Sequence, residues 1–181
     1  ATLINKVYEV IEAKNIFNIP FSKIEILLHP KSYVHALLKF TNGMIKIVAH
    51  ETTMKIPIFN TIYMNDKQFK SKNINLNNLN NLNFIKPNSK SYPMIKLLNL
   101  LPKKQSLFET VLVASNDTLV DLFLNKKISF NQIQKLLFKI INLNEFKKFK
   151  KIIPAKITDI IKLNKYVRLK ILKKVYKSTN V

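Results

Sequence analysis

The chain contains one glycine, Gly43, among its 181 residues. The sequence therefore lacks the glycine-rich loop that lets a backbone approach the phosphates of a dinucleotide. Gly43 follows Asn42 between two apolar runs, and an Asn-Gly pair in that setting signals a tight turn with glycine at positive φ. The sequence thus predicts a β-hairpin and no dinucleotide-binding fingerprint.

The hydrophobic pattern around this turn predicts helices mixed with an antiparallel sheet. Apolar residues recur near helical spacing before Pro20, which ends that pattern. Short runs rich in apolar and β-branched residues follow, as is typical of strands. The predicted elements are a helix at 3–17, strands at 23–29, 32–40 and 44–49, and a short helix at 55–63 with Pro57 in its first turn.

Helical periodicity dominates the second half of the chain, after an asparagine-rich stretch. Ser106 with Glu109, and Ser129 with Gln132, have the spacing of capping boxes at two helix starts. The predicted helices cover residues 94–101, 107–125, 130–143 and 155–176. We therefore predict an α+β fold in three parts: an antiparallel sheet with flanking helices at 1–63, a connecting segment at 64–91, and a small C-terminal helical bundle at 92–181.

A net charge of +21 would usually predict a nucleic-acid-binding protein, but the kind of basic residue weakens that prediction. Only Arg168 is an arginine among the 31 basic residues, whereas proteins that bind base edges depend on arginine. Heavy use of Lys, Asn and Ile is expected from an AT-rich genome. The absence of cysteine excludes disulfides and thiolate sites, and no run of about twenty apolar residues is present. We expect a soluble protein with no nucleic-acid or membrane partner.

Three polar residues share one edge of the first predicted helix. Asn5 and Glu9 are four residues apart and Lys6 and Glu9 three, so their side chains project from neighbouring positions. Lys6 lies near the helix N-terminus, where a cation is unfavourable and an anion such as phosphate would bind well. Spacing alone favours the alternative, a solvated Lys-Glu pair beside a capping Asn. We expect the three side chains to converge, with Lys6 pointing toward solvent or a bound anion and not pairing tightly with Glu9.

Two motifs in order give the chain a specific resemblance. Ala1-Thr2-x-x-Asn5-Lys6-x-x-Glu9 is followed by His29-Pro30-x-Ser32-x-x-His35, and shorter matches continue through the sequence. Together they resemble the 1-deoxy-D-xylulose 5-phosphate reductoisomerases, NADPH-dependent enzymes of non-mevalonate isoprenoid biosynthesis. The further matches are Asn42-Gly43, Met54-x-x-Pro57-Ile58, Tyr92-Pro93, Thr110 to Asp117, Phe123-Leu124 and Ile128-Ser129-Phe130-x-x-Ile133.

The resemblance implies that the chain is the C-terminal part of such an enzyme. Residues 1–63 would end its catalytic domain, and the NADPH-binding domain would precede this region. It also implies an oxidoreductase and isomerase that forms 2-C-methyl-D-erythritol 4-phosphate with NADPH and Mg or Mn. A homodimer in the bacterial cytoplasm is expected, with the isolated fragment inactive.

The same resemblance implies roles for individual residues. Glu9 would bind the metal together with two upstream carboxylates, and Glu9 and Lys6 would be catalytic. Asn5, Lys6 and Glu9 would contact the phosphorylated substrate, with Ser32 and His35 close by. Met54 would lie near the nicotinamide, although an ordinary core methionine is the alternative. The family often has Gly-x-Pro-Asp where this chain has His50-Glu51-Thr52-Thr53, which weakens the inferred cofactor contact.

Two other classes of protein compete with the enzyme fragment. A basic nucleic-acid-binding protein of ribosomal type would cluster its cations beside exposed aromatic rings. A helical interaction module would use the lysine-rich stretch at 146–177 to bind an acidic partner or a membrane. Neither explains the two N-terminal motifs.

Overall fold

The computed structural model describes residues 2–63, 67, 69, 72, 73 and 75–179, the last four by their backbone alone. The chain forms two compact units: Ala1–Glu25 with Asn88–Val181, and Ile26–Pro87. We call them the helical unit and the hairpin unit. Seven α-helices and two strands are described. In chain order they are α1 (Ile4–Phe17), β1 (Val34–Lys39), β2 (Ile45–Ala49), α2 (Lys55–Tyr63), α3 (Leu76–Asn80), α4 (Phe108–Leu124), α5 (Phe130–Ile141), α6 (Asn144–Lys147) and α7 (Ile157–Thr179).

Helix α4 is the centre of the helical unit. It packs against α5, α6 and α7, and its residues Val111, Ala114 and Leu119 are fully buried. Leu137 of α5 and Val167 of α7 are buried as completely. Each helix therefore contributes an apolar stripe to one core, the arrangement that the periodicity predicts.

One predicted capping box is confirmed and the other is wrong. At the start of α5, the Ser129 side chain caps the helix and its backbone N–H donates to Gln132 Oε1 at 2.6 Å. At the start of α4, Ser106 Oγ accepts from the Phe108 N–H at 3.3 Å, but the Glu109 carboxylate does not reach back. It accepts from Asn15 Nδ2 at 3.2 Å instead, because a partner from α1 competes for it.

The stretch predicted as an α-helix at 94–101 is a 3-10 helix over Pro93–Leu100. Pro93 begins it, and Pro102 disfavours helical geometry at Leu101, whose backbone is extended. The available length is short, and short helical pieces commonly adopt the tighter form. Two further 3-10 helices, at Phe21–Lys23 and Lys148–Lys151, were not predicted from the sequence.

The hairpin unit contains the antiparallel pair that the Asn-Gly signal predicts. Strands β1 and β2 pair from Lys39 with Ile45 back to Val34 with Ala49. In the turn, Gly43 has φ +88° and its N–H donates to the Phe40 carbonyl at 3.1 Å. The predicted hairpin is therefore confirmed. The predicted helix at 55–63 is confirmed as well, since α2 covers Lys55–Tyr63.

The predicted strand at 23–29 is wrong. Among the described residues of that run, ladder pairing is confined to Leu28, which exchanges two backbone hydrogen bonds with Ile85, at 2.9 and 3.0 Å. Strands are stabilised by cross-strand pairs, and a single bridge does not provide a ladder. Apolar composition alone could not show that, within the described residues, this run has a ladder partner only at Leu28.

The compact units do not follow the boundaries predicted at residues 63 and 91. Helix α1 lies in the helical unit, and the asparagine-rich stretch contains α3 and the Ile85 bridge. Residues 64–66, 68, 70, 71 and 74 of that stretch lie outside the described residues. The division into three functional domains stays a prediction. In the described part of the chain, no helix is both long and apolar enough to cross a membrane.

Candidate active site

The predicted polar edge lies at the start of α1. Successive helical residues are rotated by about 100°, so Asn5, Lys6 and Glu9 fall within one arc of roughly that width. Asn5 and Glu9 are exposed, whereas Val7, Val10, Ile11 and Lys14 on the opposite arc are buried. The helix therefore turns its apolar side inward and presents the three polar residues together.

The N-terminus of α1 has no side-chain cap. Leu3 holds the cap position with φ +58°, and no acidic residue lies in the first turn. The Leu3 carbonyl accepts from the N–H groups of Lys6 and Val7, at 3.1 and 3.3 Å. Among the described residues no side chain caps this end of the helix, so its partial positive charge favours an anion here.

Lys6 pairs with Glu9, and the expectation that it would point away is wrong. Lys6 Nζ lies 2.7 Å from Glu9 Oε2, with side-chain exposures of 42% and 52%. Opposite charges three residues apart on a helix are neighbours, so this pair forms from helical spacing alone. An exposed pair of this kind contributes only about 0–1 kcal/mol, so a competing anion could displace it at little cost.

Tyr8 immediately precedes Glu9 in α1, but its ring packs against the core of the helical unit. Burial raises the pKa of the Tyr8 phenol well above its usual value, and the Asp117 carboxylate raises it further. The phenol therefore stays protonated at neutral pH and does not serve as a base beside Glu9. Asp117 itself pairs with Arg168, whose Nη2 lies 3.1 Å from Asp117 Oδ2.

The second motif forms the turn that leads into β1. The Ser32 N–H donates to the His29 carbonyl at 2.9 Å, and Ser32 has φ +50°. His29 Nδ1 lies 3.0 Å from the Asn83 carbonyl, and its ring is tilted against Phe84 at a centroid distance of 5.3 Å. These contacts give His29 a structural role in the hairpin unit. Ser32 is exposed beside it.

His35 and His50 form a stacked pair that the sequence does not predict. Their ring centroids are 3.6 Å apart and the ring planes are within 8° of parallel. The register shifts between Val34 and Ala36, so His35 lies at a β-bulge, a feature that re-aims side chains. His50 Nδ1 also lies 2.6 Å from the Glu51 carbonyl. No local sequence signal marks the bulge that accompanies this stack.

Met54 lies just before α2 and is 63% exposed. The alternative of an ordinary core methionine therefore does not hold within the described residues. An exposed thioether at a helix start is available to pack on a flat apolar ligand, because its unbranched side chain adapts to irregular surfaces.

The residues of this chain do not by themselves form a complete site for a divalent metal or for a dinucleotide. The described residues contain no group of three or more His, Asp and Glu side chains able to hold a metal ion. Divalent cations such as Mg²⁺ take about six oxygen ligands, and Glu9 supplies one carboxylate. With one glycine, the sequence also offers no glycine-rich phosphate loop. Glu9 is therefore at most one ligand of a larger site.

The fold and the sequence together identify the protein family to which this chain belongs. Residues 50–170 match the family model described as the DXP reductoisomerase C-terminal domain. The chain belongs to this family, and the resemblance carried by its motifs is confirmed. The comparisons give no support to a basic nucleic-acid-binding protein.

Individual relatives bear the corresponding name. The 1-deoxy-D-xylulose 5-phosphate reductoisomerase of Pelagibacter ubique is 56% identical over 172 residues, covering 94% of this chain and 44% of that protein. The enzyme of the same name from Sulfurihydrogenibium sp. is 34% identical over 149 residues, covering 82% of this chain and 40% of that protein. The chain thus spans less than half the length of the relatives it matches.

Solved structures confirm the α+β fold with its C-terminal helical bundle. The Zymomonas mobilis reductoisomerase in complex with NADPH aligns with a TM-score of 0.78 at 26% identity, over 97% of this chain and 45% of that one. A DOX-P reductoisomerase in complex with NADPH, fosmidomycin and magnesium aligns with a TM-score of 0.84 over 97% of this chain and 44% of that one. At 24% identity the second likeness establishes the fold only.

Proposed function

We propose that this chain supplies part of the active site of a bacterial cytoplasmic 1-deoxy-D-xylulose 5-phosphate reductoisomerase. The whole enzyme would use NADPH and Mg²⁺ or Mn²⁺ to form 2-C-methyl-D-erythritol 4-phosphate, as a homodimer. The observation that carries the proposal is the edge of α1. Asn5, Lys6 and Glu9 lie together at an uncapped helix N-terminus, in a chain whose family match covers residues 50–170.

Lys6 and Asn5 are proposed to bind the phosphorylated substrate. The uncapped first turn of α1 adds the partial positive charge of its N–H groups to that of the Lys6 ammonium. A phosphate dianion attracts Lys6 more strongly than one exposed carboxylate does, so the pair with Glu9 would exchange for a contact with substrate. Release from Lys6 would free the Glu9 carboxylate.

Glu9 is proposed to be one ligand of the divalent metal. Its carboxylate is half exposed and pairs with the flexible Lys6 side chain, so it can reorient toward a cation once that pair opens. When bound, such a metal would polarise substrate oxygens. The remaining ligands are not provided by the described residues.

Ser32, His35 and Met54 are proposed to contact the substrate or the cofactor. Ser32 and His35 are exposed side chains on either side of a strand start, which suits supporting contacts to a polar substrate. The exposed Met54 thioether would pack near the nicotinamide. NADPH would otherwise be held outside this chain, since no glycine-rich loop is present.

A hybrid enzyme tests the proposal. In it, this chain replaces the matching 172-residue stretch of the Pelagibacter ubique relative. We expect NADPH oxidation that depends on both 1-deoxy-D-xylulose 5-phosphate and Mg²⁺. A hybrid enzyme that melts cooperatively and binds NADPH, yet does not turn over this substrate, would exclude the proposed function.

Lys6→Ala in the hybrid enzyme is expected to raise KM for the substrate by about ten- to a hundred-fold. A hydrogen bond to a charged group contributes about 1.5–3 kcal/mol, and a contact equally strong in ground and transition states affects KM more than kcat. Steady-state kinetics at varied substrate concentration measures the change. Lys23→Ala, which removes an exposed lysine outside the polar edge, is the matched control. An unchanged KM in Lys6→Ala would remove Lys6 from the phosphate site.

A further inference from the structure

A buried lysine interrupts the apolar side of α1. Lys14 is only 7% exposed and lies on the same arc as Val7, Val10 and Ile11. Lysine is almost never fully buried unless it is paired. None of the proposed steps of the reaction uses this residue, so its burial needs another explanation.

The partner of Lys14 comes from α4. Lys14 Nζ lies 3.6 Å from Glu109 Oε1, and these two side chains are 8% and 12% exposed. Glu109 Oε2 accepts from Asn15 Nδ2 at 3.2 Å, and Lys14 Nζ donates to Asn15 Oδ1 at 3.4 Å. Lys14 Nζ also lies 4.9 Å from the centroid of the Phe21 ring. The ammonium thus has three partners: Glu109, Asn15 and the Phe21 ring.

Each charge of the Lys14–Glu109 pair lies at the helix end where it interacts favourably with the helix dipole. Lys14 lies in the last turn of α1, and Glu109 lies in the first turn of α4. A cation at a helix C-terminus and an anion at a helix N-terminus both complement the helix dipole. The pair therefore links the end of one helix to the start of the other in one defined arrangement.

Replacing such a pair by apolar residues commonly leaves stability unchanged or improved, so stability alone does not explain it. Apolar packing is non-directional, whereas an ion pair with an added hydrogen bond fixes orientation. Lys14 lies about 180° around α1 from Asn5, since the helix has about 3.6 residues per turn. A rotation of α1 that moved Lys14 off Glu109 would therefore carry the polar edge through the same angle.

We propose that Lys14 and Glu109 are positioning residues, which tie the end of α1 to the start of α4, fix the rotation of α1 about its own axis and thereby aim the edge formed by Asn5, Lys6 and Glu9. The inference rests on the proposed function for its kinetic consequence. Its structural consequence, the order of α1, is independent of that function and can be measured in the 181-residue chain itself.

The test compares three versions of the hybrid enzyme: the parent, the double variant Lys14→Met with Glu109→Leu, and the conservative variant Lys14→Arg. The double variant removes both charges at similar volume, so it leaves no buried charge unpaired and should melt at or above the parent temperature. We expect its kcat to fall by about 100-fold, the effect of a misplacement of about 1 Å. Lys14→Arg keeps the charge and should retain activity within a few-fold of the parent.

Hydrogen exchange of α1 amides in the 181-residue chain separates this proposal from the proposed function. In the double variant we expect exchange at residues 4–10 to quicken about ten-fold or more, with exchange in α5 unchanged. Parental exchange in α1, or parental kcat in a double variant of an active hybrid enzyme, would overturn the positioning role. An inactive parent hybrid enzyme would count against the proposed function and leave the exchange result to decide the positioning role.

Discussion

Glu9→Gln in the hybrid enzyme is expected to abolish measurable turnover, which corresponds to a loss of about a thousand-fold or more in kcat. A metal that polarises substrate oxygens contributes several kcal/mol to the transition state, and each 1.36 kcal/mol is about a factor of ten in rate. The amide has nearly the shape of the carboxylate but lacks the negative charge that a divalent cation requires. The variant should therefore bind Mg²⁺ or Mn²⁺ poorly.

The fold should survive this substitution. Glu9 is half exposed, and its pair with Lys6 contributes at most about 1 kcal/mol. Equal melting temperatures for parent and variant, measured beside kcat, separate lost chemistry from lost structure. Glu12→Gln is the matched control, because Glu12 is an exposed carboxylate on the same helix and is not part of the motif. Normal metal-dependent turnover by Glu9→Gln would refute the metal role.

The 181-residue chain alone is expected to be catalytically inert. Holding a hydride donor against its acceptor accounts for about 7–11 kcal/mol of barrier lowering, and this sequence has no glycine-rich loop to hold NADPH. The described residues also lack a cluster of metal ligands beside Glu9. The core around α4 gives the chain enough buried apolar surface to fold, so inertness would reflect missing parts.

Nicotinamide absorbance measures this directly, in a mixture of the chain, 1-deoxy-D-xylulose 5-phosphate, NADPH and Mn²⁺. The hybrid enzyme under the same conditions is the positive control. Substrate-dependent oxidation of NADPH by the chain alone would show that the 181 residues contain a complete site, which is the opposite of what we expect.

Local signals in the sequence predict the elements that depend on local physics. Asn42-Gly43 predicts the hairpin because a tight turn between two strands commonly needs glycine at positive φ, as Gly43 has here. The spacing of Ser129 and Gln132 predicts the start of α5 because both capping hydrogen bonds form within four residues. The long helices α4 and α7 follow from sustained periodicity.

Elements that depend on distant partners could not be predicted. Residues 23–29 have strand composition, but only Leu28 meets a partner, at Ile85. The spacing of Ser106 and Glu109 fits a capping box, yet the Glu109 carboxylate accepts from Asn15 and pairs with Lys14, both far earlier in the chain. Such competition is decided by tertiary packing and leaves no local trace in the sequence.

In the candidate site, too, some features follow from local sequence and others depend on tertiary structure. Helical spacing places Asn5, Lys6 and Glu9 on one edge, and the structure has them there. Spacing alone fits the Lys6–Glu9 pair that the structure has, whereas the expected anion site at the helix N-terminus led to the wrong prediction that Lys6 would point away. The stack of His35 on His50 depends on a bulge and could only be found in three dimensions.

The central claim is that the first turns of α1 form part of the substrate site. Hydrogen–deuterium exchange of the hybrid enzyme, with and without fosmidomycin in the presence of NADPH and Mg²⁺, tests it most directly. One related reductoisomerase has been solved with those three ligands together, so the same mixture is the appropriate probe. We predict that fosmidomycin slows exchange at residues 4–9 and at the turn around Ser32. Ligand-dependent protection confined to other segments, with residues 4–9 unchanged, would contradict this claim.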